Sequence, residues 1–246
     1  MFAWLGERGW EVAQKVGTHL PFTYWQVVWR SIDGRTHSIL DVGCADGDMM
    51  AFLSHRRRYY AVGVDIFEPY LQAAKRLKRH SGYVRADAMR LPFRSRSFDT
   101  VLFLETIEHM EREEGARALE EVERVARRQV IVSTPVAFVP QGAYGGNPHQ
   151  EHRSFWTPHE MRRRGYTVRG IGVADNWLVG KVRTGLLQLL GRVLRGREER
   201  TERSAIIQSL KLADFLLRLP YYLLPGPLVR LRLQLAGHIV CVKRLE

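Results

Sequence analysis

The sequence predicts an α/β protein with a parallel sheet covered by helices on both faces. Three observations carry that expectation. Five short apolar runs alternate with segments of helical periodicity, a pattern of βαβ units. The first run enters a Gly-containing turn and then a helix, which aims backbone N–H groups and a helix dipole at a ligand. Acidic residues stand at or just beyond the ends of three successive runs: Asp41, Asp65 and Asp87.

Taken in order, residues 2–16 and 22–32 read as two N-terminal cap helices that account for residues 1–34. The second has Phe22, Trp25, Val28 and Trp29 at helical spacing, the pattern of a packed face. Glu7 and Arg8 interrupt the first ten residues, so a secretory leader is not expected. The apolar runs are 38–42, 59–65, 83–86, 98–104 and 129–133, and helices are expected at 49–56, 69–79 and 111–127. The last of these sets Ala116, Leu119, Val122 and Ala126 on one face. Residues 135–153 are rich in Gly, Pro, His and Asn, and a connection of that length is usually functional or disordered. Thr157, Pro158 and Glu160 form a capping box that starts a short helix, and Gly165 ends it. Runs at 166–173 and 237–245 complete seven strands.

A chain of 246 residues with 45% hydrophobic and 26% charged residues is globular and holds one α/β domain with an insertion. The net charge of +12 points toward anionic partners or a basic solvated surface. Cys44 and Cys241, both in apolar surroundings, read as buried free thiols in a reducing cytoplasm. No apolar stretch is long enough to span a membrane.

Charge decides what the first turn binds. The dinucleotide fingerprint G-x-G-x-x-G needs three glycines, but the positions here are Gly43, Ala45 and Asp48. Asp41 would also repel a pyrophosphate, so a ligand with cationic groups and no phosphate fits better. Asp65 lies 22 residues beyond Gly43, where a carboxylate reaches the two hydroxyls of a ribose.

Residues 39–47, Ile-Leu-Asp-Val-Gly-Cys-Ala-Asp-Gly, resemble the first motif of class I S-adenosylmethionine-dependent methyltransferases, of the type 11 kind. The family usually has Gly at the place of Ala45. The resemblance implies a Rossmann-like, seven-stranded, mostly parallel sheet with an antiparallel last hairpin. Residues 35–173 and 237–246 would form the cofactor-binding domain, and 174–236 a Leu/Arg-rich helical insertion before the last strand. It also implies that Asp41 and the loop residues Gly43, Cys44, Ala45 and Gly47 hold the amino-acid end of S-adenosylmethionine. Ile66 would cover the adenine, Asp87 and Ala88 would meet its amino edge, and Leu104 would close the set.

Beyond strand four, Glu105-Thr106-Ile107-Glu108-His109 resembles the Glu-x-x-Glu-His segment of ubiquinone-biosynthesis O-methyltransferases. That resemblance implies a divalent metal at Glu105, Glu108 and His109. A general base for a hydroxyl acceptor would come from His109, His149 or His152. Residues 147–156 resemble an Asn-Pro-x-x-x-His stretch found after strand five, a lid over the acceptor. Glu105, Tyr144, Asn147 and Trp156 are the expected substrate contacts.

Nucleobase methylation is excluded on two counts, so nucleic acid is not expected as a partner. Exocyclic-amine enzymes need Asp/Asn-Pro-Pro-aromatic after strand four, where this chain has Leu104-Glu105-Thr106-Ile107, and neither Cys follows a Pro. The expected activity is O-methylation of a small-molecule acceptor; the alternatives are a lipid-like acceptor or cofactor binding without catalysis. Residues 181–195 are amphipathic, with Leu186, Leu187, Leu190 and Leu194 opposite Lys181, Arg192 and Arg195. The segment 181–233 therefore reads as a lid, a dimer surface or a peripheral contact with an anionic membrane.

Overall fold

The computed structural model describes residues 24–143, 145–171 and 237–245. The expected first cap helix, Tyr144, the end of strand six and the insertion 174–236 lie outside the described residues. The elements run α1 (Tyr24–Ser31), β1 (Ser38–Val42), α2 (Asp48–Ser54), β2 (Tyr60–Asp65), α3 (Glu68–Arg76), β3 (Gly82–Arg85) and β4 (Phe98–Leu104). They continue through α4 (Arg112–Val125), β5 (Ala126–Pro135), α5 (Pro158–Arg163), β6 (Thr167–Ile171) and β7 (His238–Arg244). Single 3-10 turns cover Ile107–His109 and Pro148–Gln150. Among the described residues no helix is long and apolar enough to cross a membrane.

The sheet order is β3-β2-β1-β4-β5-β7-β6, so the seven-stranded α/β architecture is as expected. The first five strands are parallel. β7 alone reverses, pairing antiparallel with β5 and β6. Order turns about at β1 and β4, so the crevice beyond their carboxyl ends is the natural ligand site.

Both faces of the sheet are buried, and strand periodicity shows how. Leu40, Val42, Val101, Phe103, Val130 and Val132 face one core with Ala118, Leu119 and Val122 of α4. Ile39, Leu102, Leu104 and Ile131 face the other, with Val28 of α1 and Met49, Met50, Phe52 and Leu53 of α2. Full burial of each such side chain contributes about 2 kcal/mol. The described part of the second cap helix thus packs by Val28, with Trp25 and Trp29 half-buried beside it.

Two boundaries differ from the periodicity. α4 ends at Val125 and β5 begins at Ala126 with no loop, whereas the apolar pattern carried the helix to 127. Ala126 turns extended (φ −73°, ψ 139°) and pairs with Phe98, so its methyl serves the same core from a strand. β5 then runs on to Pro135 because β7 pairs with it from Gln129 to Pro135.

Candidate active site

The β1–α2 loop takes its shape from the protein around it. Gly43 and Gly47 have φ of 71° and 84°. A Cβ on Gly43 would fall 2.2 Å from Thr106 Oγ1, and one on Gly47 would fall 2.5 Å from Arg79 Cβ. These glycines therefore let neighbouring side chains close in on the turn. Ala45 also lies in the left-handed region at φ 48°, where a methyl costs about 1–2 kcal/mol. Gly43 and Cys44 donate their N–H groups to the Val64 carbonyl at 2.8 and 2.9 Å. The Cys44 thiol is buried, which pushes its pKa far up, and Asp41 and Asp65 add to that. Cys241 is also free and buried.

Asp65 ends β2 and ties two loops together. Its Oδ2 accepts from Ala45 N at 3.0 Å and its Oδ1 from Phe67 N at 2.9 Å. Each oxygen keeps a further lone pair. Burial raises its pKa against the pull of those two N–H groups, and His149 lies near enough to oppose the rise. Ile66, next along, is exposed at 38% and free to cover a flat ring. Asp87 accepts from Met89 N at 2.8 Å, which sets the turn after β3, and Ala88 is buried beneath.

Asp41 is not free at the loop. Its Oδ2 lies 2.9 Å from His80 Nε2, and both side chains are buried. His80 holds the base of the loop from the α3–β3 link, a partner 39 residues away that no local pattern signals.

Glu105 follows Leu104, which is buried, and is itself left-handed at φ 47°. Its N–H is held by Ser133 O at 3.0 Å and Ser133 Oγ at 3.1 Å. The Tyr24 hydroxyl reaches the same Oγ at 3.0 Å. Glu105 Oε2 turns to His238 Nε2, 3.2 Å away at the start of β7. Ser133 and His238, which meet Glu105 from distant strands, and Tyr24, which reaches it through Ser133, have no local signal in the sequence.

Glu108 is 2% exposed, and burial, then the charge of Glu105, pushes its carboxyl well above the usual carboxylate range. His109 Nδ1 lies 3.2 Å from the Glu151 carbonyl, and His152 Nδ1 lies 2.7 Å from that of Val139. Burial lowers the pKa of His109. The loop after β5 is stitched to the β4 end by Arg153 N and Ser154 N, which donate to the Glu108 carbonyl at 2.8 and 3.1 Å. Asn147 is buried and caps the 148–150 turn by accepting from His149 N at 2.9 Å, while His149 itself is exposed. Trp156 is 1% exposed, packs over Gly115, donates to Ser154 Oγ at 3.2 Å and carries the Arg112 guanidinium 4.2 Å above its ring. Its place is in the core, under the loop.

The arrangement lies at the switch point of a doubly covered sheet. Asp41, Asp65 and Asp87 stand at or just beyond the carboxyl ends of β1, β2 and β3, and Glu105, Glu108, His109 and His152 gather beyond β4. A sheet of this order, with its last strand antiparallel, is the Rossmann-like methyltransferase fold. Residues 40–133 match the family model of a methyltransferase domain. Methyltransferase GfsG of Streptomyces halstedii is 31% identical over 107 residues, 41% of this chain and 38% of that protein. The match thus spans well under half of that relative. A S-adenosylmethionine-dependent methyltransferase from Archaeoglobus fulgidus is 11% identical with a TM-score of 0.54, covering 96% of this chain and 94% of its own. The [4+2]-cyclase SpnF is 16% identical with a TM-score of 0.52, covering 96% of this chain and 82% of its own. These two likenesses are likenesses of fold.

Proposed function

We propose that the protein transfers a methyl group from S-adenosylmethionine to a hydroxyl of a small-molecule acceptor. The observation that carries this reading is the set of carboxylates at the ends of β1, β2 and β3, with Asp65 held directly to the loop: a sulfonium and an amino group are attracted where a pyrophosphate is repelled. Bound there, S-adenosylmethionine supplies a methyl carbon made electrophilic by its sulfonium.

The chain's own residues then bind, orient and move a proton. Asp65 accepts the two ribose hydroxyls on its remaining lone pairs, Ile66 covers the adenine and Asp87 accepts from its amino group. The Gly43–Gly47 loop, anchored through Asp41 and His80, holds the amino-acid end. At the other end Glu105 and the loop around Asn147 orient the acceptor, and alignment of this kind is worth several kcal/mol in rate. Proton removal from the hydroxyl falls to the basic nitrogens gathered there, His109 and His152, with His149 placed nearer Asp65. Trp156 supports the loop from below.

A second reading is donor binding without methyl transfer, favoured by the fold shared with a cyclase. One pair of measurements separates the two. Calorimetry should show binding of S-adenosylmethionine, and a panel of phenols, quinols and sugars should convert the donor to S-adenosylhomocysteine. Binding without conversion by any of them supports the second reading; absence of binding overturns both.

A further inference from the structure

The end of the sheet away from the cofactor loop is lined with arginine. Five neighbouring strands run β2-β1-β4-β5-β7, and an exposed arginine stands at this same end of each. Arg58, Arg35 and Arg96 precede β2, β1 and β4, Arg127 lies at the start of β5, and Arg244 ends the antiparallel β7. Strands lie about 4.8 Å apart, so the row is about 19 Å long. Tyr60, the first residue of β2, is 61% exposed beside it. The Arg57 guanidinium stands 5.7 Å from the ring of the neighbouring Tyr59.

The carboxylates of this end lie underneath the row. Asp33 accepts from Arg35 and from Arg244, each at 3.0 Å, and Asp99 accepts from Arg127 at 2.8 Å. The two acid side chains are 12% and 7% exposed, against 72%, 55% and 47% for the three arginines. Within 33–37, 54–60, 94–97, 126–128 and 244–245 the sole acid is Asp33, so the charge shown to solvent here is positive. Backbone carbonyls hold the arginines in place. Arg57 donates to that of Gly34 at 2.6 Å, Arg127 to that of Arg96 at 3.1 Å and Arg244 to that of Ser31 at 3.4 Å. A guanidinium has five N–H donors, so each keeps some to offer outward. Helix dipoles account for cations just past the ends of α2 and α4, but Arg96 and Arg244 cap no helix.

We propose that this row binds single-stranded nucleic acid, with phosphates paired to the arginines and a base stacked on Tyr60. Three features select that partner. Planar guanidinium forks match phosphate oxygens in pairs. A narrow row fits a linear polyanion, whereas a membrane meets a broad face with apolar anchors; among the described residues of these segments Tyr60 is the one large apolar side chain that is exposed. Fixed cations beside an exposed aromatic ring are how unpaired bases are held without sequence preference. The row faces away from the carboxyl ends of the strands, so a strand bound there is held and is not the methyl acceptor. The exclusion of nucleobase methylation therefore stands, and the binding needs neither donor nor acceptor.

The test is fluorescence anisotropy of a labelled single strand of about 12 nucleotides, within the site sizes usual for such surfaces, with the full-length protein over a salt series. Pairing of about four phosphates gives log K against log salt a slope of about −3. Arg58→Glu combined with Arg94→Glu should weaken binding by about 10-fold or more and make the slope shallower. Both side chains are exposed, and an unchanged thermal midpoint shows that the double variant is folded. Tyr60→Ala should weaken binding by about 5-fold or more and leave the slope as it is. The same sequence as a duplex, whose bases are not free to stack, should bind less tightly. No binding by the wild type, or binding that neither change weakens, overturns the proposal. Equal competition by poly-glutamate and by unlabelled strand overturns it too, because the row would then read charge alone. So does capture of anionic phospholipid vesicles that the double variant loses while it keeps the oligonucleotide, which would make the row a membrane contact.

Discussion

Asp65 does two jobs with one carboxylate. It bridges Ala45 N and Phe67 N in the fold and has lone pairs left for a ribose. Asp65→Ala should weaken S-adenosylmethionine about 100-fold by calorimetry, the loss of two charge-assisted hydrogen bonds. Asp65→Asn, which keeps one acceptor oxygen, should lose less. Equal binding by wild type and Asp65→Ala would remove the ribose assignment. At the other end of the sheet Asp99 is a purely structural counterpart. Burial pushes its pKa up, but the N–H groups of His37 and Ser38, the Ser38 hydroxyl and Arg127 outweigh that and lower it. A carboxylate with a depressed folded pKa stabilises fully above its unfolded value. That stability is lost as the pH falls from about 4 through the lowered folded value. Urea unfolding should therefore show Asp99→Asn weaker than wild type by about 1–3 kcal/mol at neutral pH. The gap should narrow below pH 4. A gap that stays constant would assign the loss to shape and leave charge no part in it. Asp41, Asp65 and Asp87 could be found from the sequence because strand ends are fixed by local periodicity. Tyr24, His80, Ser133 and His238 could not, because each is defined by a partner far along the chain.

Among the elements, the β1–α2 loop is where sequence and structure meet most closely. Its two glycines were legible as a ligand turn, yet what crowds Gly43 is Thr106, a residue on the far side of β4. Gly43→Ala should destabilise by about 2–3 kcal/mol, part from the left-handed backbone and part from the clash. Thr106→Ala in the same chain should recover the steric part alone. If the double variant is no more stable than Gly43→Ala, the clash is not the cause. Ala45 runs the other way. Its φ of 48° is one that Gly adopts freely, so Ala45→Gly should be neutral or raise stability by up to about 1 kcal/mol, after the entropy lost by the more flexible unfolded chain. Thermal unfolding measures both. The α4–β5 junction shows the limit of periodicity: Ala126 satisfies a helical face and a strand face equally, and only its pairing with Phe98 decides.

For the whole molecule, the sheet is completed by a strand that arrives last and sits second from the edge. β7 lies between β5 and β6, and Ile171 stands opposite His238 at the open end of that last pair. Seven apolar runs were countable in the sequence. The antiparallel pairing of the seventh with β6 follows the hairpin that the resemblance implies, but its place against β5 was not countable, because a strand's second neighbour is set by which edge is left open. The register gives a sharp consequence for the proposed division at 174–236. Residues opposite each other in an antiparallel pair can be joined by a two-residue Asn-Gly turn. A chain joining Ile171 to His238 in this way should fold and bind S-adenosylmethionine within about threefold of the full chain, a change of under 1 kcal/mol. A chain cut after residue 237 should not, because β6 loses its one neighbour among the described strands and β5 is left with an open edge. Circular dichroism and calorimetry on the two variants read out both expectations. If the joined chain is insoluble while the insertion alone is missing, residues 174–236 are part of the core after all, and the division of the chain into a cofactor-binding domain and a separable insertion falls with it.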